Sequence, residues 1–145
     1  MKIKNIFFDA NIFNDIFDKN RPFFDTSSKA YIGALKSGFK IHTSCDVATN
    51  IYYVTSKHVS KDKALDGIEF LKTSVTIIPF GEKELSETIE LMRKDNDYKD
   101  FEDTIQYILA LNTKCNVVVT NDKRFVSKDI ECLNSTEFVK KYLLT

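Results

Sequence analysis

Along the chain, apolar and polar positions fall into two alternating kinds of segment. Short β-prone runs occur at Lys2–Phe8, Phe39–Thr43, Val75–Ile78, Val117–Thr120 and, more weakly, Asp129–Leu133. Between them, apolar residues recur at helical spacing. That spacing predicts helices over Asn11–Asn20, Thr26–Lys36, Asp46–Lys57, Lys61–Lys72, Glu82–Lys94, Phe101–Asn112 and Thr136–Leu144. Tyr31 and Leu35 share a face of the second helix, and Gly38 follows it as a stop. Strands separated by helices imply an α/β domain around a mostly parallel sheet of about five strands. Ile6–Phe8 and Val117–Val119 are continuous apolar triplets, as central strands covered on both faces are.

Composition narrows the class without naming a chemistry. The 145 residues, with 43% apolar and 29% charged content, make one ordinary globular domain, 1–145, with no repeat or linker. Lys plus Arg and Asp plus Glu each number 21, so bulk charge does not draw the chain to nucleic acid; a local basic patch or a metal would have to. Cys45, Cys115 and Cys132 form no CxxC pair and read as buried thiols in a reducing compartment. No apolar run is long enough to span a membrane, and the N-terminus lacks the pattern of a signal peptide. The chain reads as cytoplasmic.

The stretch "NIFFDANIF", residues 5–13, runs an apolar strand straight into Asp9. A carboxylate so close to a core needs a partner or a metal, because burying it unpaired costs roughly several kcal/mol. In parallel sheets, ligands bind beyond the carboxyl ends of the strands, where strand order reverses. Asp9 follows one central strand; Thr120, Asn121 and Asp122 follow the other. If those strands are neighbours, Asp9 and Asp122 share the rim of one crevice. "DFEDTIQYILA" adds Asp103, in the first turn of a helix that packs through Ile105, Ile108 and Leu109. Taken singly, Asp103 is a helix N-terminal charge or a capping partner of Asp100, and Asp122 a turn residue. Taken together, converging acids repel one another, and a divalent cation relieves that repulsion. Oxygen ligands without suitably spaced His or Cys point to Mg²⁺ or Mn²⁺, an apparatus suited to phosphodiester cleavage.

"FFDANIF", "DFEDTIQYILA" and "VVVTNDKRF" together resemble the PIN domain, in the branch that includes VapC-like toxins of bacterial toxin–antitoxin pairs. The match runs in order and spacing from about residue 3 to residue 126. It implies a three-layer α/β/α fold and a metal-dependent endoribonuclease, the toxin of a type II toxin–antitoxin pair. Asp9, Asp103 and Asp122 would be the catalytic and metal-holding residues, with Mg²⁺ or Mn²⁺ as cofactor. Asn11, Asn50, Thr120, Asn121 and Glu102 would support them. Lys57, Lys123 and Arg124 lie where they could meet substrate phosphates; each also reads as solvated surface charge. The implied partners are an RNA substrate and an antitoxin whose tail covers the acidic crevice, with no membrane. Homodimers are common in the family, and Phe17, Phe23, Phe24, Tyr52 and Tyr53 are candidates for a groove or dimer face or else for core packing.

One position departs from the family. Most PIN domains supply a Glu from the mid-chain helix, whereas "SCDVATNIYYVTSK" offers Asn50, with Asp46 one turn earlier. Asn50 reads equally as a weaker carbonyl ligand and as a polar residue on a half-buried helix. The alternative to the nuclease is therefore a catalytically weakened PIN-like binding or scaffold module. A haloacid-dehalogenase-type phosphatase would need Asp where Asn11 stands, and a receiver domain would need an Asp after the strand in "VTIIPF". The only histidines, His42 and His58, lack the spacing of histidine-based ribonucleases.

Overall fold

Ile6, Phe7 and Phe8 are all fully enclosed, and their alternation sets the layers of the molecule. Successive strand residues face opposite ways. Ile6 and Phe8 enter one apolar cluster while Phe7 enters another. The computed structural model describes residues 3–143, so Lys2 and Leu144, ends of an expected strand and helix, lie outside the described residues.

The elements are β1 (Asn5–Phe8), α1 (Ala10–Ile16), α2 (Phe24–Lys36), β2 (Lys40–Ser44), α3 (Val47–His58), α4 (Lys61–Ser74) and β3 (Thr76–Ile78). They continue with α5 (Glu82–Lys94), α6 (Phe101–Asn112), β4 (Val117–Val119), β5 (Glu131–Leu133) and α7 (Ser135–Phe138), the last running on as a π-helical turn over Val139–Leu143. The five strands form one sheet in the order β3-β2-β1-β4-β5. Every pairing is parallel. Order reverses between β1 and β4, and their register sets Phe8 against Val119. The residues just past both strand ends, Asp9 and Thr120, therefore emerge side by side.

On one face, Phe8 packs with Phe13 of α1, Tyr31 of α2, Ile51 of α3, Leu71 of α4 and Phe138 of α7. Phe8 and Phe138 meet edge to face, centroids 6.2 Å apart, an arrangement that adds about 1 kcal/mol beyond simple burial. On the other face, Phe7 and Val118 pack with Tyr107 and Leu109 of α6 and with Leu91 and Met92 of α5. Helices on both faces of a parallel sheet make the α/β/α sandwich the sequence leads one to expect.

Local chemistry fixes the helix starts. Asp9 caps α1 by accepting from the Ala10 N–H, 2.7 Å. Asp100 caps α6 by accepting from the Asp103 N–H, 2.9 Å. α1 ends at Ile16 rather than at Asn20, because the chain then turns at Asp18, whose carbonyl accepts from Arg21 N at 3.0 Å.

Candidate active site

The centre is Asp9, 4% exposed at the end of β1. Its Oδ1 accepts from Ala10 N, and its Oδ2 from Asn11 Nδ2 at 3.0 Å and from the Thr120 hydroxyl at 2.8 Å. The Thr120 hydroxyl in turn accepts from Asn11 Nδ2 at 3.0 Å and from the backbone N–H of Asp122 at 3.1 Å. Asn11 Oδ1 accepts from Asn121 N at 2.9 Å. Asp9, Asn11 and Thr120 thus lock the start of α1 to the turn after β4. Burial raises the Asp9 carboxyl above its ordinary range against these hydrogen bonds, and the negative charge of Asp122 adds to the rise.

Asp103 stands in the first turn of α6, its N–H taken by Asp100 and its carboxyl half-buried. Burial first, and then the charges of Asp9, Asp100, Asp122 and Glu102, push it from 3.8 up to about 7. Glu102 is raised as well, by partial burial first and then by Asp46, Asp9 and Asp100, so it belongs to the same field of negative charge. Asp46 itself accepts from the Ser44 hydroxyl.

Asp122 behaves differently. Burial pulls its carboxyl upward, but hydrogen bonds from the Arg124 N–H and guanidinium outweigh that and leave it lowered. Its Oδ1 accepts from Arg124 N at 2.9 Å and Nε at 3.2 Å. Asp122 is thus folded back on its own loop. Among the described residues, no three His, Cys, Asp or Glu side chains are drawn together closely enough to enclose an ion. Asp9 and Asp103 share a field with Asp122 without yet sharing a ligand position.

The remaining expected residues divide. Asn50 is half-buried and its Oδ1 accepts from Asn14 Nδ2 at 2.9 Å, which ties α3 to α1. Asn121 lies under the turn, where its Nδ2 donates to Asp15 Oδ2 and to the Ser27 hydroxyl, both at 3.0 Å. Lys123 and Asp122 line a cleft of about 320 Å³ with Phe23 and Glu137. Arg124 and Asp103 line a second, of about 650 Å³, with Tyr98, Lys99 and Asp100. Lys57 does not join them: it lies over the Tyr53 ring, 5.7 Å from its centroid, ten residues and so about 15 Å along α3 from its start. Of the aromatics, Phe17 packs on the core, while Phe23 and Tyr53 are exposed.

Sequence reasoning missed Lys99, Asp15 and Gln106. Asp15, 2% exposed, accepts from Arg21 Nε at 2.8 Å and from the Ser27 hydroxyl at 2.7 Å as well as from Asn121. Gln106 is wholly enclosed on α6. The signal for Gln106 was a lone polar residue within a buried apolar run.

The donor set is all oxygen, two of its carboxyls are raised by burial and, after it, by neighbouring negative charge, and the wholly buried Gln106 amide has neither atom partnered among the described residues. These features fit a hard divalent cation.

The PIN-domain family model matches residues 6–131. Over 142 residues the chain is 42% identical to "Ribonuclease VapC1" of Aquifex aeolicus (strain VF5), covering 98% of each protein. Among solved structures it is similar to Mycobacterium tuberculosis VapC20, a "Sarcin-Ricin loop cleaving toxin", with TM-score 0.70 and 16% identity over 83% of this chain and 92% of that one. It is also similar to VapBC2 from Rickettsia felis bound to a DNA fragment from their promoter, with TM-score 0.67 and 18% identity over 90% and 98%. The chain belongs to the PIN-domain family.

Proposed function

We propose that this PIN-domain protein is a metal-dependent endoribonuclease and the toxin of a bacterial toxin–antitoxin pair. The relative that is alike over nearly the full length is named a ribonuclease, which supports the activity. The observation that carries the site is a buried Asp9 together with an Asp103 held at about 7 by burial first and by its acidic neighbours next. Such a site is set up for a cation.

Asp9, Asp103 and Asp122 would hold Mg²⁺ or Mn²⁺. When bound, the ion would neutralise charge developing on the phosphate and lower the proton affinity of a water. The chain's own residues do the positioning. Thr120 and Asn11 hold Asp9 Oδ2 in a fixed direction, as partners behind a metal ligand do. Asp122 is held by Arg124 and must turn from it to join the other two. The guanidinium so released, with Lys99 in the same cleft, is placed to meet a substrate phosphate. Lys123 serves the neighbouring cleft. The solved relative in complex is a VapBC pair, which supports a protein partner for this chain too. Such an antitoxin would cover the acidic crevice. Among the described residues no helix is long and apolar enough to cross a membrane.

The Asp122–Arg124 pairing and the engagement of Asn50 favour the second reading, a binding module without catalysis. Cleavage of a mixed RNA pool, with Mn²⁺ or Mg²⁺ against EDTA, separates the two. The nuclease reading expects metal-dependent cleavage by the wild type and at least a 100-fold loss in Asp9→Asn. Equal silence of both proteins with either metal would establish the binding module instead.

A further inference from the structure

α6 buries every residue from Thr104 to Ala110. Six of the seven suit that burial, being apolar or, like Thr104 and Tyr107, having a hydroxyl that is hydrogen-bonded. Gln106 does not: neither its Oε1 nor its Nε2 has a hydrogen-bond partner among the described residues. A buried polar group left without a partner destabilises the fold, so Met or Leu would suit the isolated fold better. The position of the amide accounts for its presence. Gln106 is one helical turn beyond Glu102 and Asp103, on their side of α6. Its amide lies close to the Asp9 carboxyl, yet no well-formed hydrogen bond joins the two. A donor and an acceptor without a formed bond therefore stand together, wholly buried, beside Asp9. The donor suits a carboxylate; the acceptor suits water carried by a cation, whose hydrogens point outward.

We propose that Gln106 is a positioning residue of the cation site, its Nε2 donating to Asp9 and its Oε1 accepting from the hydration shell of a divalent cation held by Asp9 and Asp103. The proposal rests on the metal reading above and adds to it a residue that carries no charge and bonds no metal itself.

The test is Mn²⁺ binding, followed by electron paramagnetic resonance and by the Mn²⁺-induced rise in Tm, for wild type, Gln106→Met, Gln106→Glu and Asp9→Asn. A purely structural amide ranks Met above Glu in every measurement, because Met fills the space without an unpaired polar group. The positioning role reverses the ranking for metal alone. Gln106→Met should melt higher than wild type without metal yet bind Mn²⁺ at least 10-fold more weakly. Gln106→Glu, which keeps the acceptor oxygen, should melt lower without metal yet bind Mn²⁺ more tightly than Gln106→Met. Gln106→Met binding within twofold of wild type, or Gln106→Glu binding no better than Gln106→Met, would overturn the proposal while leaving the metal site intact. A wild type that binds no Mn²⁺, like Asp9→Asn, would overturn the metal reading and this proposal together.

Discussion

Replacing Asp103 by Asn should stabilise the metal-free protein, increasingly so as pH rises from about 4 to about 7 and fully above that. The substitution keeps the shape of the side chain and removes its charge. The backbone of that turn is held independently, since Asp100 accepts from the residue's N–H. The folded carboxyl is pushed from 3.8 up to about 7, by burial first and by its acidic neighbours next. Between those values the folded chain keeps a proton that the unfolded chain has released. The group therefore favours folding fully below about pH 4, and that contribution is lost as pH rises through about 7. A rise of this size corresponds to about 4 kcal/mol taken at face value, and the carboxyl's partial exposure to water screens it to about 2 kcal/mol. Losing a negative charge near the start of α6 works the other way by about 0.5 kcal/mol. The net expectation is a variant more stable than wild type by about 1–2 kcal/mol at pH 8, or roughly 3–6 °C in Tm, and equal to it near pH 4. Urea unfolding in EDTA across that pH range measures this. Added Mn²⁺ should reverse the order at pH 8, because only the wild type offers the charge. Identical pH dependence of the two proteins in EDTA would refute the reasoning, as would a variant less stable at pH 8.

Two further substitutions probe the frame around the site. Asp15→Ala strands Arg21, Ser27 and the Asn121 amide without their shared acceptor, and should cost about 3 kcal/mol by urea unfolding. Thr120→Val keeps the shape but loses the donor to Asp9 and the acceptor for Asn11 and Asp122 N; it should cost about 1–2 kcal/mol in stability and at least 10-fold in RNA cleavage.

What was legible in the sequence follows the range of the forces involved. Ile6–Phe8 and Val117–Val119 could be read as central strands because continuous apolar triplets have few other uses. The bounds of α5 and α6 were legible because their periodicity is long and their starts are capped within three residues. The end of α1 was not, because the competing turn at Asp18 is a local choice that apolar spacing does not encode. Asp15 carried no signal of its own in the sequence; its partner Asn121 lies 106 positions away. Lys57 was expected near the rim, but α3 carries it ten residues along its length, where it lies over Tyr53. Asp122 was recognised by its place after β4, while its pairing with Arg124 depends on how that short loop folds back.

The central position of β1 also governs when a site can exist at all. Its two neighbours, β2 and β4, lie at very different distances along the chain, and the Thr120 hydroxyl that holds Asp9 is 111 residues away from it. At roughly 5–20 residues per second, about 5–20 s separate the synthesis of these two residues. Through that interval β1 has one open edge, and Asp9 has neither Thr120 nor Asp122 beside it. A chain that cuts RNA would thus be made, next to the ribosome's own RNA, with its site unassembled. Only the last fifth of the sequence brings the two halves of the crevice together.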